Sequence, residues 1–195
     1  MPSPTNPMIP LTRNISPQTL ATYLKSLSIA AICFTLVTIA SSLAQLNAKA
    51  QNVTAVSGIV TGNVQQVGFR AMIQKRAIQY NLAGSVENKD DKSVRFFLQG
   101  DEDRIDQALK AMRKGTKKSS DVNVTVSPAL AHPDLQTFTV VGWTSVSRHI
   151  THPYDLVFNL RSDNTTINKQ EAKRVWLDIC QKAVKGADSG KCKKD

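Results

Sequence analysis

The spacing of apolar residues predicts that a strand followed by a helix opens the globular part of the chain. Residues 52–60 (NVTAVSGIV) are rich in β-branched side chains, which are typical of a strand. After a polar loop, apolar residues recur at helical intervals from Phe69 to Tyr80, which predicts one buried face of a helix. Asn81 and Gly84 follow, and both residue types favour the left-handed conformation that ends helices.

The next segment has the pattern of a hairpin and a second helix. Residues 85–88 and 93–99 predict two short strands, because a polar turn separates them and apolar side chains alternate along the second. Gly100 interrupts the second strand, and Asp101 is a favourable N-cap for a helix. The apolar stripe of that helix consists of Ile105, Ala108, Leu109 and Met112.

Two further strands complete the predicted sheet. Alternating valines over residues 122–126 predict one strand, and residues 138–141 predict a last short one. The resulting order is βαββαβ plus a short terminal strand, which predicts an α+β fold of the ferredoxin-like kind. In this two-layer sandwich, two helices cover one face of an antiparallel sheet. Residues 51–143 form this domain in our interpretation.

Residues 144–195 are predicted to form a C-terminal helical extension. Residues 154–160 favour a strand, and Asn168 with Glu171 is typical of a capped helix start. We expect this helix to end at Gly186 and the tail after it to be mobile. Its apolar stripe would pack on the domain or contact a partner or a membrane surface: Ala172, Val175, Trp176, Ile179 and Ala183.

The first fifty residues, 1–50, have the composition of a targeting segment. Residues 27–46 contain no charged side chain, and residues 48–50 (AKA) match a signal-peptidase site, so that cleavage would leave Gln51 as the N-terminus. The apolar run is also long enough to cross a bilayer as a helix, which makes an uncleaved membrane anchor the alternative. Either interpretation predicts an exported domain, periplasmic or secreted, that contacts the membrane only through this segment if it stays uncleaved.

Charge and cysteine content narrow the class of protein further. The 195 residues include 25 Lys and Arg and 15 Asp and Glu, and the net charge of +10 favours anionic ligands or surfaces. Three cysteines exclude a disulfide-rich miniprotein. Cys33 lies in the targeting segment, whereas Cys180 and Cys192 would form either a disulfide or two free thiols.

The loop between the first strand and the first helix is a candidate anion site. Gly62 and Gly68 lie near its ends and allow backbone amides to converge. The first N–H groups of a helix have no partner inside the helix, so they are available to an anion. Arg70 lies in the first helical turn and outside the apolar stripe, so that its guanidinium could reach the same point.

The amino-acid sequence of this loop resembles a known family signature. Residues 62–70 (GNVQQVGFR) resemble the acylphosphatase signature G-x-V-Q-G-V-x-F-R, and residues 84–91 (GSVENKDD) are similar to the family's G-x-V-x-N-x-x-D. The resemblance extends over about residues 53–143. The chain therefore resembles acylphosphatases over most of its exported part.

This resemblance implies a metal-independent hydrolase, without a cofactor, that cleaves the carboxyl–phosphate bond of a small acyl phosphate. It implies that Arg70 and the loop amides bind the phosphoryl group and that Asn88 orients the attacking water. An acyl phosphate already has a good carboxylate leaving group, so positioning and charge stabilisation suffice. The residues that the resemblance assigns to phosphate binding are Gly62, Asn63, Val64, Gln65, Gln66, Val67, Gly68, Phe69 and Arg70.

One motif position differs from the family pattern. Gln66 stands where the signature has glycine, and a positive φ angle or a close approach of phosphate would strain or crowd a glutamine there. The alternative is therefore a non-catalytic acylphosphatase-like module that binds an anion or a partner. Under both interpretations we expect a monomer that binds no metal and no nucleic acid.

Overall fold

The computed structural model describes residues 53–193, so the targeting segment predicted at residues 1–50 lies outside the described residues. Within the described range, six strands form one sheet and three α-helices pack with it. The strands are β1 (Thr54–Asn63), β2 (Ala83–Asn88), β3 (Val94–Gly100), β4 (Ser120–Pro128), β5 (Thr137–Ser145) and β6 (Ile150–Asn159). The helices are α1 (Phe69–Tyr80), α2 (Glu102–Lys114) and α3 (Lys169–Ala183).

The sheet has the strand order β4-β1-β3-β2-β5-β6. Neighbouring strands are antiparallel except β2 and β5, which are parallel. Strands β1 and β2 therefore lie on either side of β3, and α1 makes the crossover between them. This is the predicted ferredoxin-like α+β arrangement, and the prediction is confirmed. Strands β5 and β6 extend the sheet beyond β2.

One hydrophobic core lies between the sheet and the helices. The core contains alternating residues of the strands and the apolar faces of all three helices. Its strand residues include Val60, Val86, Phe96, Phe138 and Leu156, and its helix residues include Ile73, Ile105 and Trp176. Since Trp176 belongs to α3, the helix of the extension packs on the domain, which was one of the two predicted alternatives. No helix within residues 53–193 has the length and apolar character needed to cross a membrane.

Short-range signals define the end of α1 at Asn81 and the starts of α2 and α3 as predicted, whereas Gly84, which was also expected to end α1, lies in strand β2. Gly68, with φ 77°, precedes α1, and Asn81 ends it with φ 54° and an N–H that donates to the Ala77 carbonyl. The carboxylate of Asp101 accepts from the Arg104 N–H at the start of α2. Asn168 accepts from the Glu171 N–H at 2.9 Å and caps α3 in the same way.

The C-terminal part differs from the prediction in three respects. Strand β5 continues to Ser145, so the boundary predicted after Trp143 falls inside a strand. Helix α3 ends at Ala183 rather than at Gly186. The predicted mobile tail instead packs on the domain, because Cys192 is buried.

Two sets of contacts hold this tail. Cys192 and Cys180 form a disulfide across a sequence separation of 12 residues, which is one of the two alternatives left open by the cysteine content. The Tyr154 hydroxyl donates to the Lys185 carbonyl at 2.9 Å and to the Asp188 carboxylate at 3.2 Å. The contacts of Tyr154 are tertiary, so the polar composition of the tail gave no signal of them.

Candidate active site

The loop before α1, the end of β2 and the C-terminal extension border one cavity of about 160 Å³. The loop and first helical turn contribute Val64, Gln66, Gly68, Phe69 and Arg70, and β2 contributes Asn88. The structure thus brings the two residues predicted to be catalytic to one cavity, although they are 18 positions apart in the chain.

The predicted phosphate-binding segment divides into residues that line the cavity and residues that fix the loop. Gly62, Asn63, Gln65 and Val67 are not among the residues that line it. A Cβ atom on Gly62 would lie 2.2 Å from the Asp121 carbonyl oxygen, so glycine is required there by the close packing of β1 on β4.

Two side chains tie the loop to its surroundings. The Gln65 amide donates to the Lys89 and Ser93 carbonyls, both at 2.8 Å, and so fastens the loop to the turn that follows Asn88. The Thr116 hydroxyl donates to the Val67 carbonyl at 3.1 Å. These bonds fix the loop relative to Asn88.

The loop has a left-handed backbone at two positions, Gln66 with φ 58° and Gly68 with φ 77°. Such a conformation costs an L-residue other than glycine about 1–2 kcal/mol. The position at which the signature has glycine is therefore one of positive φ in this chain, as the sequence analysis considered. The exposed Gln66 side chain lines the cavity without filling it.

The first turn of α1 has N–H groups that find no acceptor inside the helix. The Met72 N–H is the first to bond within the helix, to the Gly68 carbonyl at 3.0 Å. The N–H groups of the three preceding residues belong to the set that a helix leaves for an external acceptor. The positive end of the helix dipole lies at the same place and favours an anion.

Arg70 is held in place by a bulge in β5. Its Nη1 donates to the Val141 carbonyl at 2.7 Å and to the Gly142 carbonyl at 3.0 Å. Gly142 has φ 56°, and the β5–β6 register shifts between Val140 and Trp143, so the bulge turns these two carbonyls toward the arginine. A guanidinium has N–H donors on two further nitrogens, which suits bidentate contact with an anion.

Arg70 is a buried cation. The side chain is 9% exposed, and desolvation lowers the pKa of its guanidinium below the ordinary value. Since that ordinary value lies far above neutral pH, Arg70 stays cationic. A buried and fixed positive charge attracts an anion more strongly than an exposed one does.

Asn88 provides an acceptor at the end of β2. Its Oδ1 is buried, and within residues 53–193 it accepts no hydrogen bond. A buried carbonyl oxygen without a donor is costly, so this atom is suited to hold a water molecule or a ligand donor.

Three further residues line the cavity and were not predicted from the sequence. Lys75 of α1, Arg148 before β6 and Trp176 of α3 line it. The Lys75 Nζ lies 4.4 Å and the Arg148 Cζ 5.5 Å from the centroid of the Trp176 ring. Among the described residues that line the cavity, Arg70, Lys75 and Arg148 are cationic and none is acidic. A helical stripe that contains Trp predicts packing, and no local pattern links it to a residue 28 positions earlier.

The fold and this cavity define a small α+β domain with a cavity that is lined by cationic and, among the described residues, no acidic side chains. Comparison with known proteins agrees with that class. The acylphosphatase family model matches residues 56–140. The acylphosphatase of Methanocella arvoryzae is 38% identical over 80 residues, which cover 40% of this chain and 91% of that protein. The acylphosphatase of Bacillus velezensis is 35% identical over 82 residues, covering 42% of this chain and 91% of the relative.

Among solved structures, the crystal structure of acylphosphatase from Bacillus subtilis is similar, with 31% sequence identity and a TM-score of 0.43. The match covers 45% of this chain and 98% of that one. The chain belongs to the acylphosphatase family. Residues 141–193 of the described range lie outside the part matched by the family model.

Proposed function

We propose that this protein hydrolyses an acyl phosphate to a carboxylate and inorganic phosphate without a metal ion. The family and the fold support acyl phosphate hydrolysis in general. One observation carries the finer assignment: Arg70, which is fixed by two carbonyls, and Asn88, whose Oδ1 accepts no hydrogen bond within residues 53–193, line the same cavity. A charge and a water acceptor at one site are what the hydrolysis of a mixed anhydride requires.

In the proposed reaction, the phosphoryl group lies between the first turn of α1 and the Arg70 guanidinium. Oδ1 of Asn88 accepts a hydrogen bond from the attacking water, so that the water oxygen faces phosphorus. A bond forms from that oxygen to phosphorus, and the bond from phosphorus to the acyl oxygen breaks. The electron pair of the broken bond leaves with the carboxylate, and the proton of the water passes to a phosphate oxygen.

Gln66 favours one second candidate, a non-catalytic module that binds an anion. Its side chain borders the cavity at the position where the signature has glycine. A phosphoryl group held further from the loop by this side chain would bind but would lie out of line with the water. The two candidates therefore differ in turnover and agree in binding.

Hydrolysis of benzoyl phosphate in the presence of a chelator tests the proposal. We expect the purified protein to release benzoate and phosphate, and we expect Arg70→Ala and Asn88→Ala each to abolish most turnover. Arg113→Ala, which removes an exposed positive charge at the end of α2, is the matched control and should leave the rate unchanged. Phosphate binding without turnover would favour the second candidate, and Arg70→Ala with the wild-type rate would contradict both.

We also propose that the domain works outside the cytoplasm. The Cys180–Cys192 disulfide supports this proposal, because such bonds persist mainly in oxidising compartments. Expression of the full chain in a bacterium, followed by N-terminal analysis of the exported protein, is the test. An N-terminus at Gln51 indicates a cleaved signal, a membrane-bound full-length chain indicates an anchor, and soluble full-length protein in the cytoplasm contradicts export.

A further inference from the structure

We propose that the C-terminal extension gives the active site a second anion subsite, formed by Arg148 with Lys75 and Trp176. The subsite would select acyl phosphates whose acyl group bears a further negative charge. This inference rests on the proposed function, because it assigns the part of the cavity that would hold the acyl group.

The position of the subsite follows from how the cavity is built. Arg70 and Asn88 occupy the wall that belongs to the family-matched region. A second part of the lining, here called the second wall, consists of the segment from Trp143 to Arg148 and Trp176 of α3. Both lie outside the matched residues 56–140. With the phosphoryl group at Arg70, the rest of the substrate would lie against this second wall.

The Trp176 indole ring contacts both cations of the proposed subsite, Arg148 before β6 and Lys75 of α1. Trp176 is 1% exposed and packs edge-on against Trp143, with ring centroids 5.7 Å apart at 78°. The Lys75 ammonium and the Arg148 guanidinium both lie within cation–π distance of this ring. An arginine can contact an aromatic ring and also donate to a carboxylate through the planar fork of its guanidinium.

Helix α3 holds the indole firmly. Cys180, one helical turn after Trp176, is fully buried and bonded to Cys192. The subsite is therefore built on a helix that the disulfide attaches to the domain, which is the kind of support that precise recognition needs.

Charge and size identify the ligand class. A phosphoryl dianion at Arg70 leaves a lining that still has two cationic and no acidic residues among the described ones. The hydroxyls of Ser145 and Ser147, 3.3 Å apart, also belong to this wall and can donate to a carboxylate. The cavity of about 160 Å³ is smaller than the roughly 300 Å³ at the lower end for drug-sized ligands. A short acyl group with a terminal anion fits these features.

The test compares two acyl phosphates that differ only in this charge. Fumaryl monophosphate and crotonyl phosphate share a rigid trans four-carbon skeleton, and a carboxylate in the first replaces a methyl group in the second. We expect the purified full chain to show a higher kcat/KM for fumaryl monophosphate. Arg148→Gln should reduce this preference by about 10- to 100-fold, as expected for the loss of a charged hydrogen bond. Arg148→Lys should restore part of it.

Two controls separate the subsite from a general charge effect. Arg174→Gln removes a positive charge from α3, the helix that carries Trp176. The Arg174 side chain is 75% exposed, pairs with Glu171 and does not line the cavity. The preference should be unchanged in this variant. Hydrolysis of crotonyl phosphate by Arg148→Gln should fall by a smaller factor than hydrolysis of fumaryl monophosphate, because the methyl group makes no charged hydrogen bond with residue 148. An unchanged preference in Arg148→Gln, or equal losses in Arg148→Gln and Arg174→Gln, overturns the inference while the hydrolase assignment stands.

A binding measurement covers the case in which the proposed function fails. If neither acyl phosphate is hydrolysed, the affinities of fumarate and crotonate are measured by calorimetry in the presence of inorganic phosphate. This measurement shows whether the subsite binds the additional carboxylate. Tighter binding of fumarate that is lost in Arg148→Gln supports the subsite in a non-catalytic module. Equal affinities for the two carboxylates reject the subsite.

Discussion

The two walls of the cavity have different origins in the sequence. The loop wall consists of residues of the loop and first turn of α1, between Val64 and Arg70, together with Asn88, and both parts belong to the two sequence motifs. The extension wall joins Arg148 and Trp176, which are separated by strand β6 and a long connection and meet only through packing. The first wall was therefore predictable from a motif, and the second was not.

In the proposed function, the loop wall performs the reaction and the extension wall selects among substrates. The loop wall has the features that any acyl phosphate would need: a fixed guanidinium, helix N–H groups and a water acceptor. The extension wall adds charge at a place that the acyl group would occupy. Changes in the first wall should lower turnover of all substrates, and changes in the second should alter the preference among them.

The largest effect is expected from Arg70→Lys, which keeps the charge and removes the planar fork. The ammonium cannot both bond to the Val141 and Gly142 carbonyls and contact two phosphate oxygens. We expect kcat/KM to fall about 100- to 1000-fold for every acyl phosphate, as for the loss of one pre-organised donor. Steady-state kinetics with fumaryl monophosphate and crotonyl phosphate check this, and a selective loss for one of them would remove the distinction between the walls.

Removal of the disulfide should act on the extension wall first. Cys180 and Cys192 close a loop of 12 residues, so the double variant to serine should lower the free energy of unfolding by about 3 kcal/mol. Urea denaturation measures this change. We expect the preference for fumaryl monophosphate to weaken more than the rate on crotonyl phosphate. Equal losses on both substrates would mean that the disulfide supports the whole site rather than one wall.

Gly142→Ala should disturb the anchor of Arg70. With φ 56° at this position, alanine costs about 1–2 kcal/mol of stability, or the bulge rearranges and moves the carbonyl that Arg70 bonds. Gly186→Ala is the matched control, because Gly186 has φ 62° and open space around it in the C-terminal tail. Both variants should lose stability in thermal unfolding, but only Gly142→Ala should lower kcat/KM.

The smallest effect is expected from Gln66→Gly. Glycine adopts φ 58° without strain, so the free energy of unfolding should rise by up to about 1 kcal/mol, and phosphate should approach the loop more closely. Lys92→Gly is the matched control, because Lys92 has φ 69° in the β2–β3 turn. This variant should raise the free energy of unfolding and leave kcat unchanged. Denaturation and kcat measured on both variants separate strain from crowding, and an unchanged kcat in Gln66→Gly would show that the glutamine does not limit turnover.

Much of the fold was predictable because its determinants are local. Asp101 and Asn168 cap helices, and Asn81 ends one, through bonds that span three or four residues. The continuation of β5 past Val141 was not predictable, since Gly142 interrupts the alternation and the bulge depends on pairing with β6.

The candidate site divides in the same way. The motif indicated Arg70 and Asn88, and both line the cavity. It did not indicate that Gln65 is bonded to the hairpin turn, because the signature does not distinguish a residue that binds the ligand from one that holds the loop.

A double-mutant cycle on Arg70 and Asn88 tests the central claim most directly, namely that the two residues act on one phosphoryl group. The measurement is kcat for benzoyl phosphate in Arg70→Ala, Asn88→Ala and the double variant. Groups that serve one transition state are strongly non-additive, so the double variant should be only slightly slower than the slower single variant. Losses that multiply fully, or a single variant with wild-type kcat, would contradict the account.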